Sequence, residues 1–274
     1  MRELQSRIIA EMGVRPTIDP EHEVNRRIAF LCDYLVTTHT AGFVLGISGG
    51  VDSTLAGRIA QLAVEQLRTE GVEADLVAVR LPYATQADAA DAVAAMAFIA
   101  DDAPLTLDIA PAVDGLQAAF ETATGRDIAD FNKGNVKARI RMVAQYALAG
   151  ERNLVVIGTD HGAESTVGFF TKFGDGGADI LPLFGLNKRQ IRQMLQHMEA
   201  PERLWSKVPT ADLLDGSPLR TDEDELGISY DDIDDYLEGR AVPEHVAELI
   251  EAKYLRSRHK RATPVTILDD WWRD

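Results

Sequence analysis

Ser48-Gly49-Gly50-Val51-Asp52-Ser53-Thr54 combines two glycines, three hydroxyls and one carboxylate within seven residues. The glycines let a backbone approach a ligand closely. That set suits a departing pyrophosphate: N–H and O–H donors hold its oxygens, and Asp52 can hold the Mg²⁺ that neutralises them. The loop has no lysine of the G-x-x-x-x-G-K-[ST] kind and no G-x-G-x-x-G spacing, so kinase-type and dinucleotide-fold readings lose their main support. A second polar stretch, Gly158-Thr159-Asp160-His161-Gly162-Ala163-Glu164, supplies Glu164 as a second carboxylate. Read alone, it is an ordinary capped turn.

These groups need elements to bring them together. Phe43-Val44-Leu45-Gly46-Ile47 reads as a short buried strand, and Leu55, Ile59, Leu62 and Leu67 give one apolar face to a helix starting near Ser53. The glycine loop then sits at a helix N-terminus, where unpaired N–H groups and the dipole favour an anion. A helix over 21 to 38 precedes this strand. After it the reading gives strand Leu76–Val79, helix 86 to 100, strand Leu105–Leu107, helices 112 to 124 and 134 to 148, and strand Leu154–Ile157. Strands alternating with helices predict right-handed crossovers and a doubly wound parallel sheet with helices on both faces, a Rossmann-like three-layer α/β fold. Ligands in such sheets bind at strand carboxyl ends where the strand order reverses. The strand ending at Ile157 is the expected neighbour of the first, which would set Glu164 near Asp52 to share a metal.

Beyond Gly158 the chain is glycine-rich through Gly174-Asp175-Gly176-Gly177, with helices expected near 187 to 198, 229 to 238 and 244 to 256. Between them, 204 to 226 is rich in Pro, Asp, Ser and Gly, and a connection this long reads as a lid. Its acidic residues repel one another and it carries little apolar surface. The expected organisation is one domain over 1 to 274, with a mobile lid at 204 to 226 and a C-terminal helical extension over 229 to 274. Trp271-Trp272 is expected to anchor the C-terminus by packing.

Composition narrows the partners. A chain of 274 residues with net charge −16 repels nucleic acid and anionic membranes unless its basic groups are concentrated. They are: Lys253 to Arg261 carries five Lys/Arg and no acid, whereas Asp212 to Glu238 carries eleven acids against Arg220 alone. The single cysteine, Cys32, forms no internal disulfide and lies among Ile28, Leu31 and Leu35, so it is read as a buried thiol. The start has no apolar signal stretch and no run is long enough to span a bilayer, so the expected location is the cytoplasm.

The glycine loop looks like that of the ATP-pyrophosphatase (PP-loop) group, and further motifs sharpen the match. In order, the chain holds Arg80-Leu81-Pro82-Tyr83 with Gln86, Phe131-Asn132-Lys133-Gly134-Asn135 with Arg139, Gly158-Thr159-Asp160-His161 with Glu164, and Lys172 through Asp179. Asn187-Lys188-Arg189, Pro209 through Leu213, Leu226-Gly227-Ile228-Ser229-Tyr230 and His259-Lys260-Arg261 follow. Over nearly its whole length the chain resembles the ammonia-dependent NAD⁺ synthetase family, with an adenine-nucleotide alpha-hydrolase-like fold. The resemblance implies that Gly46, Ile47, Ser48, Gly49, Gly50, Val51, Asp52 and Ser53, with Arg80, Gln86, Thr159, Lys188 and Thr210, hold ATP. It implies Mg²⁺ on Asp52 and Glu164, and deamido-NAD⁺ on Arg139, Lys172, Asp179, His259 and Lys260. It also implies a homodimer with the dinucleotide site at the subunit boundary. On the helix carrying Arg139, the apolar face of Val136, Ile140, Val143 and Ala147 could serve that dimer or pack on the sheet.

The implied reaction is that of a carbon–nitrogen ligase: deamido-NAD⁺ is adenylated by ATP with loss of pyrophosphate, and ammonia displaces AMP to give NAD⁺. Asp52 and Lys188 are the expected catalytic groups on the phosphates, and Asp175 the candidate for taking a proton from ammonium. A glutamine-using enzyme needs a further domain with an activated cysteine, so free ammonia is favoured, with a separate glutaminase subunit as the alternative source. The rival readings are another ATP pyrophosphatase, such as a guanylate synthetase core or an RNA-modifying ligase, and a non-catalytic nucleotide sensor. Pyrophosphate release dependent on deamido-NAD⁺ separates all three.

Overall fold

The computed structural model describes residues 2–84, 89–101, 104–210, 221–262 and 264–273. Its centre is a parallel sheet of β1 (Gly42–Gly46), β2 (Asp75–Arg80), β3 (Leu105–Thr106) and β4 (Val155–Val156), in the order β3-β2-β1-β4. The chain winds outward from β1 and then returns to β1's other side at β4, so the order reverses between β1 and β4. A parallel bridge from Ile157 to Ile180 continues the pairing beyond β4.

Strand side chains alternate between two apolar layers, as the two-residue period requires. Phe43, Leu45, Leu76 and Ala78 enter one cluster with Leu31, Leu55, Ile59, Ile191 and Met194. Val44, Val77, Val79 and Val156 enter the other with Val113 and Ala149. The first layer is covered by α2 (Pro20–Thr38), α3 (Val51–Thr69), α4 (Ala89–Ile99), α8 (Lys188–His197) and α9 (Glu202–Trp205). The second is covered by α5 (Ala110–Thr124) and α6 (Asp130–Arg152). The doubly wound three-layer α/β reading is thereby met. A third cluster joins α1 (Glu3–Met12), α7 (Gly162–Val167), α11 (Tyr230–Leu237) and α12 (Glu244–Arg256) through Ile8, Met12, Tyr230, Tyr236 and Tyr254.

Several boundaries differ from the sequence reading. The sequence pattern does not reveal α1: only Gln5, Ile8 and Met12 are buried along it, so its apolar stripe is narrow. α3 begins at Val51 because Gly50, in an extended conformation, serves as its cap. α6 runs through Gly134 to Arg152, where Asn153 closes it in the left-handed region. The outer strands are only two residues long. Segment 204 to 226 is not loop throughout: α9 ends inside it, and α10 (Asp222–Leu226) forms its far end. A Thr210–Thr221 bridge joins its two sides, and the buried Leu204 and Leu226 anchor them. Residues 211–220 lie outside the described residues. The C-terminal extension is helical only to α13 (Arg258–Arg261). Trp271 packs under the Arg258 guanidinium, 4.9 Å from its ring centre, but Trp272 is exposed, so one indole of the pair anchors. Cys32 is buried, and burial raises its thiol to about 11. Among the described residues no helix is long and apolar enough to cross a membrane.

Candidate active site

The glycine loop leaves β1 and enters α3 beside β4, at the carboxyl ends of the strands where the order reverses. Its hydroxyls fold the loop on itself. Ser48 Oγ lies 3.2 Å from Ser53 Oγ and accepts from Gly50 N, while Ser53 and Thr54 hydroxyls donate to Gly50 O. Among the described residues no side chain caps α3, so its first N–H groups can take an anionic partner. Gly49 has φ +80°, and a Cβ there would lie 2.4 Å from Ala92 N; both the turn and the close approach to α4 require glycine.

The loop opens onto a cavity of about 530 Å³, within the range of small-molecule sites. Gly46, Ile47, Ser48, Gly50, Val51, Asp52, Ser53, Thr159, Glu164, Asp175, Lys188, Thr210 and Lys260 all line it. At its floor Lys188, 1 % exposed, donates to Asp52 Oδ2 at 2.8 Å and Glu164 Oε1 at 3.4 Å. Burial alone would lower the lysine pKa, but Asp52 and Glu164 outweigh it and hold the ammonium charged. Burial likewise opposes ionisation of Glu164, and His161 with Lys188 overcomes it, drawing the carboxyl down to about 2.

Two further carboxyls show the opposite outcome, Asp160 buried and Asp175 exposed at the cavity. Crowding by protein at the cavity wall pushes Asp175 up to about 6 although its side chain is exposed there, against the Thr171 N–H that donates to it at 2.9 Å. Burial beside Glu164, Asp175 and Asp52 pushes Asp160 well above the usual carboxylate range. Negative charge is thus crowded at this floor: Asp160 is disfavoured as an anion by Glu164, Asp175 and Asp52 around it. Asp52 Oδ1 is buried with no hydrogen-bond partner, and it converges with Glu164 and His161 Nε2 so that one ligand atom from each lies within 4.8 Å of the others. His161 Nε2 is 3.5 Å from Asp52 and 3.4 Å from Glu164. Two carboxylates lining the cavity fit Mg²⁺, which takes one or two protein carboxylates and completes its shell from phosphate and water.

The remaining expected residues fall elsewhere. Arg139 donates to Lys172 O, and Lys172 Nζ donates to His259 O, forming a connected group outside the cavity wall. Lys260 links that group to the cavity, its ammonium donating to Gly168 O and Phe170 O at 2.7 Å each. Both carboxylate oxygens of Asp179 are taken, by Tyr146 OH and Val156 N at 2.9 Å, so in this state it ties α6 to β4. Arg80 ends β2 next to the cavity-lining Leu81 without lining it itself. Gln86 lies outside the described residues.

The sequence reading assigned no role to three groups here: His161, Asp222 and Tyr230. Asp222 lines the cavity, is 7 % exposed, and leaves Oδ1 without a partner. Tyr230 sits beneath Lys188, its ring centre 4.6 Å from the ammonium. Tyr230 closes the Leu226–Tyr230 motif and Asp222 stands in the acidic stretch before it, and only packing separates them from surface residues.

Residues 23–264 match the family model described as NAD synthase. The chain is 57 % identical over 270 residues to the NH(3)-dependent NAD(+) synthetase of Bacillus licheniformis, covering 98 % of this chain and 99 % of that one. It is 57 % identical over 272 residues to the protein of that name from Leifsonia xyli, covering 99 % and 98 %. Among solved structures it is similar to NAD+ synthetase from Burkholderia pseudomallei, with TM-score 0.82 and 50 % identity over 96 % of this chain and 99 % of that one. NMN synthetase from Francisella tularensis superposes with TM-score 0.80 at 34 % identity, covering 92 % and 100 %. With a glycine loop at the sheet's reversal point, a lysine clamped by two carboxylates and matches over nearly its full length, the chain belongs to the NAD synthase family.

Proposed function

We propose that this cavity is where the chain amidates deamido-NAD⁺ with ammonia at the expense of ATP, and that the residues lining it divide the work as follows. The observation that carries the assignment is the convergence of the open α3 N-terminus, Lys188 and the Asp52–Glu164 pair on one cavity. Ser48, Ser53 and the α3 N–H groups hold phosphate oxygens, with Thr159 and Thr210 on the nucleotide. Asp52 and Glu164 hold Mg²⁺, which when bound supplies charge neutralisation on the phosphates. Lys188 adds a fixed cation at the same place. The nicotinate carboxylate displaces pyrophosphate from the α-phosphorus, giving an acyl adenylate; ammonia then attacks the carbonyl and AMP leaves. Asp175, exposed at the cavity wall and raised to about 6 by its crowded surroundings, is ionised at neutral pH and accepts the proton of ammonium near that carbonyl.

Arg139, Lys172 and His259, with Lys260, are assigned to the dinucleotide outside the wall, where anionic groups need cations. Phe131 at 64 % exposure, Val143, Leu116 and Phe120 leave apolar area on α5 and α6 for a second copy of the chain. Val136 and Ile140 instead pack on the sheet, so only part of the expected apolar face remains for a dimer. A monomeric mass by sedimentation at micromolar concentration with full activity would reject the dimer. Segment 204 to 226 contributes Lys207 through Thr210 and Asp222, Glu225 and Leu226 to the wall, which supports a role as lid over the adenylate. The cytoplasm is the location that these nucleotide substrates and the single buried thiol favour.

The test is ATP–pyrophosphate exchange dependent on deamido-NAD⁺. Asp52→Asn should abolish it with the fold intact, because an amide oxygen is the weaker Mg²⁺ ligand; near-normal exchange would remove Asp52 from the site. Similarity to an NMN synthetase raises a second reading, a mononucleotide acceptor. On that reading Arg139, Lys172 and His259 can be changed without loss of rate.

A further inference from the structure

The motif Leu226-Gly227-Ile228-Ser229-Tyr230 has no part in the reaction as assigned so far. Gly227, at φ +70°, ends α10, and Leu226 and Ile228 are buried on either side of it. Ser229 caps α11 by accepting from Asp232 N, which makes Tyr230 the first residue of that helix. Tyr230 is then fixed at three points. Its N–H donates to Glu223 Oε1 at 2.8 Å, its hydroxyl donates to Asp222 Oδ2 at 3.3 Å, and its ring is 1 % exposed within an apolar cluster.

The face of that ring lies against Lys188 Nζ, 4.6 Å from the centroid, inside the range of cation–π attraction. The same helix holds the other end of the lysine: Asp234 accepts from Lys188 N at 3.2 Å and from Arg189 N at 2.7 Å. The ammonium thus has three neighbours of two kinds. Two are Asp52 and Glu164, the carboxylates assigned to Mg²⁺; the third is a neutral ring that a metal cannot take.

We propose that Tyr230 is a positioning residue, whose ring keeps the Lys188 ammonium aimed at the phosphates once a divalent cation has drawn Asp52 and Glu164 away from it. The inference rests on the assignment of ATP and Mg²⁺ to this cavity. Bonding to metal withdraws electron density from both carboxylates and loosens their hold on the lysine. The ring's attraction persists, because ring and ammonium are both buried and the low dielectric around them strengthens it. Asp222 fixes the ring's tilt through the phenol.

Calorimetric binding of α,β-methylene-ATP, with Mg²⁺ and with EDTA, tests this without turnover. Tyr230→Leu should weaken binding about thirtyfold in Mg²⁺, equivalent to ~2 kcal/mol at 1.4 kcal/mol per tenfold, and less than about threefold in EDTA. Tyr230→Phe keeps the ring and should restore binding to within about threefold. Tyr236→Leu, in the same apolar cluster, controls for lost packing: it should lower the unfolding midpoint yet leave the Mg²⁺ dependence as in the wild type. In a Lys188→Met background, Tyr230→Leu should add nothing. Equal losses in Mg²⁺ and EDTA, a phenylalanine as poor as leucine, or full additivity with Lys188→Met would each overturn the proposal. Wild-type protein that binds no nucleotide in either buffer would instead sink the assignment of the cavity, and this inference with it.

Discussion

Replacing Lys188 by methionine keeps the length of the side chain and removes one charge from the most crowded part of the site. The ammonium stands 2.8 Å from Asp52 and 3.4 Å from Glu164, and the lysine is 1 % exposed. At an effective dielectric constant near 20, each contact is worth about 5–6 kcal/mol of attraction. Desolvation of the charges returns several kcal/mol of that, so the net cost of deleting one partner from a buried group is about 3–5 kcal/mol. For a chain of this size that corresponds to a fall of roughly 10 °C in the unfolding midpoint. The loss should depend on metal. In EDTA the two carboxylates face each other without their cation, whereas Mg²⁺ supplies the missing charge and stabilises by mass action. Thermal unfolding of wild type and Lys188→Met in EDTA and in saturating Mg²⁺ should show the gap between them closing by at least about half when metal is present. A variant that unfolds within about 2 °C of wild type in EDTA, or equal stabilisation of both proteins by Mg²⁺, would refute the charge accounting.

Asp175→Asn should still release pyrophosphate but form NAD⁺ slowly, with high pH partly restoring the rate as free ammonia becomes available; rapid-quench measurement of both products decides it, and equal loss of both removes Asp175 from the proton transfer. Because the Asp175 carboxyl is raised to about 6 from 3.8, the folded protein binds more protons than the unfolded chain across that window. Stability from this group is therefore present below pH 4 and lost as pH rises through 6, and urea titrations of Asp175→Asn should show a shallower decline there. Gly49→Ala places a Cβ 2.4 Å from Ala92 N at φ +80°, so the loop must shift; kcat/KM for ATP should fall by at least about tenfold, and an unchanged value would show that the loop geometry is not needed. Amide exchange over 204 to 226 should slow when ATP and deamido-NAD⁺ are both bound. Protection that is the same with and without ligands counts against a lid.

Local pattern sufficed for the parts of this protein that are local. The run Ser48 to Thr54 names its own chemistry, since glycines, hydroxyls and one acid between a strand and a helix can form an anion site without help from distant residues. Alternation of strands and helices implied the parallel sheet, and the order β3-β2-β1-β4 places its reversal where that loop is. Other features arise only when distant elements pack. Lys188 on a helix reads as a solvated base, yet α8 meets α11 and the loop at Asp52, so it is buried between two carboxylates and a ring. Val136, Ile140, Val143 and Ala147 look alike by periodicity, but α6 turns the first two onto the sheet and leaves the last two exposed. His161, Asp222 and Tyr230 have no spacing that joins them to residue 52. Their role is set by where α7, α10 and α11 dock, because charge coupling depends on distance through space and local sequence reports only the nearest few turns of chain.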